Sequence, residues 1–258
     1  MPGTGNFAIY PSLEGKIVIV TGGASGIGEA IVEAFVRQRA QVVFLDIQDS
    51  AAEQLIHRLA SDGSPAPIYH RCDLSDVAVL QQTVAGVLAK FPDVDVLVNN
   101  AGNDARHTIA EVTSASWDRS ISVNLKHQFF MSQAVIPSMQ KAGRGSIINM
   151  GSISWVIPSK GVPVYATAKA AITGMTRALA HEVGVHNIRV NCVMPGAILT
   201  ERQKQLWFTE EYKAEILAGQ ALKRMIMPGE VASLVLFLAA ADSSAITNQS
   251  YIIDGGWV

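Results

Sequence analysis

KIVIVTGGASGIGEAIVEAFVRQ, residues 16–38, is the stretch on which the fold turns. Lys16–Thr21 is an apolar run of strand length, and the segment from Gly28 onward sets apolar residues at helical spacing. Between them lies TGGASGIG, with Gly22, Gly26 and Gly28 spaced G-x-x-x-G-x-G instead of the commoner G-x-G-x-x-G. Glycine lets a backbone turn sharply and approach a pyrophosphate closely. The helix that starts there presents unpaired N–H groups and a positive dipole end. Many strand-to-helix turns are tight, so the weight comes from context. QVVFLD, Gln41–Asp46, reads as the next strand, and Asp46 ends it 18 residues beyond Gly28, where a ribose-binding acid is expected. Its carboxylate can accept from both ribose hydroxyls of NAD and would repel the 2′-phosphate of NADP. Arg37 and Arg39 sit toward the far end of the helix, badly placed to receive that phosphate.

The alternation continues outward from this unit. A helical stretch over 51–59, the run IYHRCDL, a helix over 77–90 and VDVLVNNAG (94–102) follow. One long helical segment over roughly 116–141 then leads to SIINMGS, a helix over 165–182, the strand IRVNCVMPG, helix-rich sequence after Leu199 and the closing strand SYIIDGG. Strands this apolar on both faces belong between layers of helices. The expectation is an α/β, doubly wound, mostly parallel sheet of Rossmann type with helices on both faces. No linker-like stretch or internal repeat divides the chain, so residues 1–258 are read as one dinucleotide-binding catalytic domain with a substrate-binding helical loop at about 199–219.

Composition agrees. The chain has 258 residues, 49% hydrophobic and 16% charged, enough apolar material for one large core. Twenty Lys and Arg against 22 Asp and Glu leave a net charge of −2, with no basic concentration of the kind nucleic acid requires. Cys72 and Cys192 make no disulfide framework, and no spacing suggests a metal. VASLVLFLAAA, from Val231, is too short to span a bilayer, and the first residues lack the pattern of a secretory signal. A cytoplasmic protein without a membrane or nucleic-acid partner is expected.

Tyr165 and Lys169 stand four apart in a helical pattern, one above the other on one face. Tyrosine ionises near pH 10, but an ammonium about 5 Å away at an effective dielectric near 20 is worth roughly 3 kcal/mol, on the order of two pKa units. Taken alone, Y-x-x-x-K fits a structural pair as well as a chemical one. Ser152 changes the balance: it ends the strand SIINMGS at the edge where open α/β sheets bind ligands, and its hydroxyl can donate to a substrate oxygen while Tyr165 moves the proton.

TGGASGIG, NNAG (99–102), Asn124, Ser152, YATAK (165–169) and Pro195-Gly196, in this order over nearly the whole chain, resemble the short-chain dehydrogenase/reductase family. The resemblance implies that Tyr165 is the general acid/base, that Lys169 lowers its pKa and holds the nicotinamide ribose, and that Ser152 orients the reacting oxygen. Asn124 would hold a water relaying protons from Lys169. Cofactor contacts are implied for Gly22, Ser25, Gly26, Ile27, Gly28, Asp46, Asp73, Leu74, Asn100, Ala101, Gly102, Tyr165, Lys169, Pro195, Gly196, Ile198 and Thr200, with Asn99 securing the sheet behind. The family also implies a homo-oligomer, a tetramer packed through the helices near 116–141 and 163–182.

Substrate contacts are expected from three variable places. NDARH after NNAG supplies Asn103, Asp104, Arg106 and His107; ISWVIPSK after Ser152 supplies Ser154 and Trp155; ERQKQLWFTEEY supplies Arg202, Gln203 and Trp207. Amides, hydroxyls and aromatic plates suit a polyhydroxylated ligand, though loops are polar for other reasons too. The assigned contacts are Asn103, Ser152, Ser154, Trp155, Tyr165, Arg202 and Gln203. NNAGNDARH, GSISW and LTERQKQLWFT are similar to bacterial NAD-dependent aldose 1-dehydrogenases, especially those acting on D-xylose. That implies oxidation of a cyclic aldose, such as D-xylose or L-arabinose, at C1 to the aldonolactone. A sugar-acid dehydrogenase acting on a 2-keto-3-deoxy acid, with Arg202 on the carboxylate, is the alternative. A non-catalytic NAD-sensing protein would not need Asn124, Ser152, Tyr165 and Lys169 together.

Overall fold

A computed structural model describes residues 8–60, 65–207 and 209–258. In chain order the elements are β1 (Ile17–Thr21), α1 (Gly26–Arg37), β2 (Gln41–Asp46), α2 (Asp49–Leu59), β3 (Ile68–Arg71), α3 (Val77–Lys90) and β4 (Val96–Asn99). Then come α4 (Ser114–Ile121), α5 (His127–Ala142), β5 (Gly145–Met150), α6 (Pro163–Val183) and β6 (Ile188–Pro195). The chain ends with α7 (Glu201–Leu206), α8 (Glu210–Gly219), α9 (Pro228–Ala239) and β7 (Ser250–Ile253).

Among the described residues the strands form one sheet in the order β3-β2-β1-β4-β5-β6-β7, and every neighbouring pair is parallel. The pleat explains why the strands are apolar throughout. Val18, Val20, Val42 and Phe44 point into a core shared with α1, α2 and α9. Ile19, Val43, Leu45 and Leu97 point the other way, into a core shared with α3, α5 and α6. Chain order reverses between β1 and β4, which opens a crevice beyond the carboxyl ends of the strands.

The long helix expected over 116–141 is interrupted. α4 starts at Ser114, capped by the Thr113 side chain, and a π-helical turn over Ser122–Lys126 separates it from α5. Such turns gather at functional sites, because one residue too many is accommodated by redirecting side chains. The strand expected over IYHRCDL closes at Arg71, leaving Cys72, Asp73 and Leu74 beyond the sheet.

Candidate active site

The glycine loop and NNAG interlock at the point where strand order reverses. Gly22 and Gly26 have φ of +64° and +61°, open to glycine at little cost. A Cβ on Gly28 would strike the Gly22 carbonyl oxygen, and one on Gly22 would stand 2.8 Å from the Ala101 Cα. The Asn100 amide donates to the carbonyls of Thr21 and Gly22, each at 3.0 Å. Thr21 Oγ1 in return accepts from the backbone N–H groups of Asn100 and Ala101, at 2.9 and 3.1 Å. Behind them Asn99 Nδ2 donates to Asn149 Oδ1, Ser132 Oγ and the Gln128 carbonyl, tying β4 to β5 and α5 inside the core. The cradle keeps backbone exposed where side chains would fill it, as an extended pyrophosphate requires.

Asp46 is 6% exposed and is hydrogen-bonded within the protein. Its Oδ2 accepts from Ala24 N at 2.9 Å, pinning the glycine loop to β2. Its Oδ1 accepts from the backbone of Ile47 and Gln48 and from Gln48 Nε2, which also reaches Ser25 Oγ. Oδ1 is therefore committed within the protein. Oδ2 keeps one acceptor direction, so the carboxylate expected to accept from both ribose hydroxyls has that one oxygen left to offer. Gln48 carried no sequence signal, because its role follows only from where β2 ends.

At the other end, Ser152 follows β5 and Tyr165 lies in the first turn of α6, which opens with Pro163. Ser152 hydrogen-bonds the Tyr165 phenol and accepts from Ser154 N at 3.1 Å. Lys169, 3% exposed, donates from Nζ to the Met150 carbonyl at 2.8 Å and lies 5.5 Å from the Tyr165 ring centroid. Burial brings the Lys169 pKa down to about 8. Tyr165 is moved the opposite way from the expectation. Burial raises it, the Asp104 carboxylate raises it further, and the Ser152 bond opposes them. The lysine alone does not prevail, because its ammonium lies over the ring, bonded to a backbone carbonyl, and is itself desolvated. Beside it His127, wholly buried, is brought to about 3 by burial and then by the Lys169 charge, and so stays neutral.

Asn124 lies in the π turn, fully buried. Its Oδ1 accepts from Asn103 N at 2.8 Å and its Nδ2 donates to the carbonyls of Asn103 and Ser120, each at 3.0 Å. It thereby clamps the start of the NDARH loop. That loop is also tied to α7 and α8. Gln203 Nε2 donates to Asp104 Oδ2 at 2.8 Å, Arg202 Nη2 to Asn103 Oδ1 at 3.0 Å, and Arg202 Nε lies 3.5 Å from Asp104 Oδ1. The Arg106 guanidinium lies over the rings of Trp207 and Tyr212 at 4.5 and 5.1 Å.

A cavity of about 980 Å³ joins these parts, large among small-molecule sites. Every cofactor residue expected from the sequence lines it, from Gly22 through Thr200, as do Asn103, Ser152, Tyr165, Lys169, Arg202 and Gln203. Asn124 stands behind the wall. Ser154 and Trp155 are not part of the wall, and Trp155 is 41% exposed at the surface. They belong to a 3-10 turn, Ile153–Trp155, which buries Ile153 and throws the indole outward. Asp104, Gln48 and Met150 line the cavity without having been assigned a role from sequence. Among the described residues no cluster of His, Cys, Asp or Glu could hold a metal ion, and no helix is long and apolar enough to cross a membrane.

A family model described as Enoyl-(Acyl carrier protein) reductase matches residues 22–258. D-xylose 1-dehydrogenase of Caulobacter vibrioides is 53% identical over 251 residues, covering 97% of this chain and 98% of its own. A probable galactose dehydrogenase of Rhizobium meliloti is 47% identical over 247 residues, covering 96% of each. Among solved structures, a 3-oxoacyl-[acyl-carrier protein] reductase of Brucella melitensis with bound NAD superposes with a TM-score of 0.87 at 33% identity, covering 97% of this chain and 94% of that one.

Proposed function

Since the chain belongs to the short-chain dehydrogenase/reductase family, whose oxidoreductases use a nicotinamide cofactor, we propose that it oxidises a neutral cyclic aldose at C1 to the aldonolactone with NAD. The observation that carries this reading is the Ser152–Tyr165–Lys169 group opening into a cavity that Asn103, Asp104 and Gln203 also line. Those side chains offer carboxamide and carboxylate groups to a ring of hydroxyls. The identities support the same substrate class: 53% and 47% to sugar dehydrogenases, against 33–39% to acyl-carrier-protein reductases.

A bound nicotinamide would supply the hydride acceptor and, when oxidised, a positive charge. The chain's own residues do the rest. Tyr165 takes the anomeric hydroxyl proton, and Ser152 donates to the same oxygen so that the C1–H bond is presented in one orientation. Lys169, aimed by the Met150 carbonyl, would hold the nicotinamide ribose. Gly22, Gly26 and Gly28 leave the pyrophosphate room. The free direction of Asp46 Oδ2 accepts from the adenosine ribose, and its charge selects NAD over NADP. Asn124 acts as a positioning residue through Asn103.

We further take the whole chain to act as one catalytic domain, in the cytoplasm, as a tetramer. Trp117 on α4, Phe129 on α5 and Ile252 on the edge strand β7 are each more than 40% exposed and provide apolar surface for that association. The sugar-acid alternative is disfavoured because Arg202, its carboxylate receptor, is already bound to Asn103 and Asp104. Following absorbance at 340 nm with NAD and a panel of neutral aldoses and 2-keto-3-deoxy acids tests the proposal. A neutral aldose should give the highest kcat/KM and a lactone as first product. Preference for a carboxylated substrate would overturn it.

A further inference from the structure

We infer that Asp104 is a specificity-determining residue: its carboxylate, held at the cavity wall by Gln203 and Arg202, accepts hydroxyls of a neutral sugar and excludes sugars that carry a carboxylate. This rests on the aldose reading above and adds the charge rule that the site imposes.

Asp104 is placed firmly. The peptide just before it is gripped on both sides by the Asn124 carboxamide, at 2.8 and 3.0 Å. Its Oδ2 accepts from Gln203 Nε2 at 2.8 Å, so the acid links two segments far apart in sequence. Each carboxylate oxygen still has an acceptor direction, a pattern that suits a sugar diol and gives a second carboxylate nothing to bind.

The neighbouring charges do not cancel its effect at the reacting atoms. Arg202 is its ionic partner at 3.5 Å, but the arginine side chain is 52% exposed against 25% for Asp104, so solvent screens the cation more than the anion. On the same helix Lys204 pairs with Glu201 at 2.6 Å, both in water. Lys169 is turned to the Met150 carbonyl. Consistent with this, Asp104 is the residue of this wall whose charge acts on both Tyr165 and Lys169, raising each. A carboxylate on the substrate ring would meet that charge across the cavity. Like charges about 6 Å apart at an effective dielectric near 20 disfavour binding by on the order of a hundredfold.

The test compares a neutral hexose, the matching hexuronic acid and its uncharged hexuronamide. All three share the anomeric centre and differ at C6. With the wild-type protein and NAD, kcat/KM for the uronate should lie about a hundredfold below that for the uronamide. In Asp104→Asn, which keeps an acceptor for Gln203, kcat/KM for the uronate should rise at least about tenfold and the gap should narrow. Asp104→Glu should keep the gap. Equal wild-type use of uronate and uronamide overturns the inference without any variant, and so does a gap that persists in Asp104→Asn. If no neutral aldose yields NADH, the aldose reading fails and takes this inference with it. If aldoses react and the charge of the substrate makes no difference, the inference fails alone.

Discussion

In the proposed reaction Tyr165 must lose a proton that its surroundings help it keep. Burial and the Asp104 charge raise its pKa, and Ser152 is the side chain that opposes them. Oxidation should therefore become faster with rising pH, with kcat/KM increasing by up to about tenfold per unit across pH 7–9.5 and no plateau below 9. A rate flat across that range would mean that the proton leaves by another route. Replacing Tyr165 with Phe should lower kcat by about a hundredfold or more while leaving NADH affinity within about twofold, read by single-turnover kinetics and fluorescence titration. The neutral His127 beside Lys169 makes a stability prediction. Unfolded, it takes a proton near pH 6.5; folded, it resists down to about 3, so between these values the unfolded chain binds more protons. Stability is retained above pH 6.5 and lost as pH falls toward 3. Urea titrations at pH 7.5 and 5 should show a smaller loss in His127→Gln than in the wild type.

The elements act on the site through their ends. β1, β4, β5 and β6 stop where the cavity begins, so each delivers its next few residues to it. The π turn between α4 and α5 turns Asn124 inward, and the result is a loop clamped at Asn103. Asn124→Ala removes four hydrogen bonds from a buried position and should cost about 1–3 kcal/mol per group left unsatisfied. Hydrogen exchange should then quicken over residues 103–107 with little change in the glycine loop. Equal protection in both proteins would show that the clamp is dispensable. The Asn124 motif could be read in the sequence, but the π turn could not, since the apolar pattern runs through 116–141 without a break.

At the scale of the molecule, the exposed apolar residues of α4 and α5 and the unpaired edge of β7 set the association prediction. Sedimentation at micromolar concentration should give a particle near four times 27.6 kDa, and a 27.6 kDa particle would refute the tetramer. The two hydrophobic layers, by contrast, need no partner. The period-two pleat of strands such as Val18–Val20 divides their side chains between the layers within one chain.

The sequence by itself determined the parallel sheet, the glycine loop, Asp46 and the Tyr165–Lys169 pair. These depend on short-range regularities: strand and helix periods, the backbone freedom of glycine, and the four-residue spacing that stacks two side chains on a helix. Tertiary structure alone decided what those residues are bonded to. Asp46 accepts from Ala24, Lys169 donates to Met150, and Asp104 meets Gln203 across 99 residues of chain. It also decided that the turn after Ser152 buries Ile153 and sends Trp155 to the surface, away from the substrate wall assigned to it. The reason is physical. A local pattern sets which conformation a segment adopts, but the direction of a side chain leaving a loop, and the charge it meets there, are set by whichever distant segment the completed fold packs beside it.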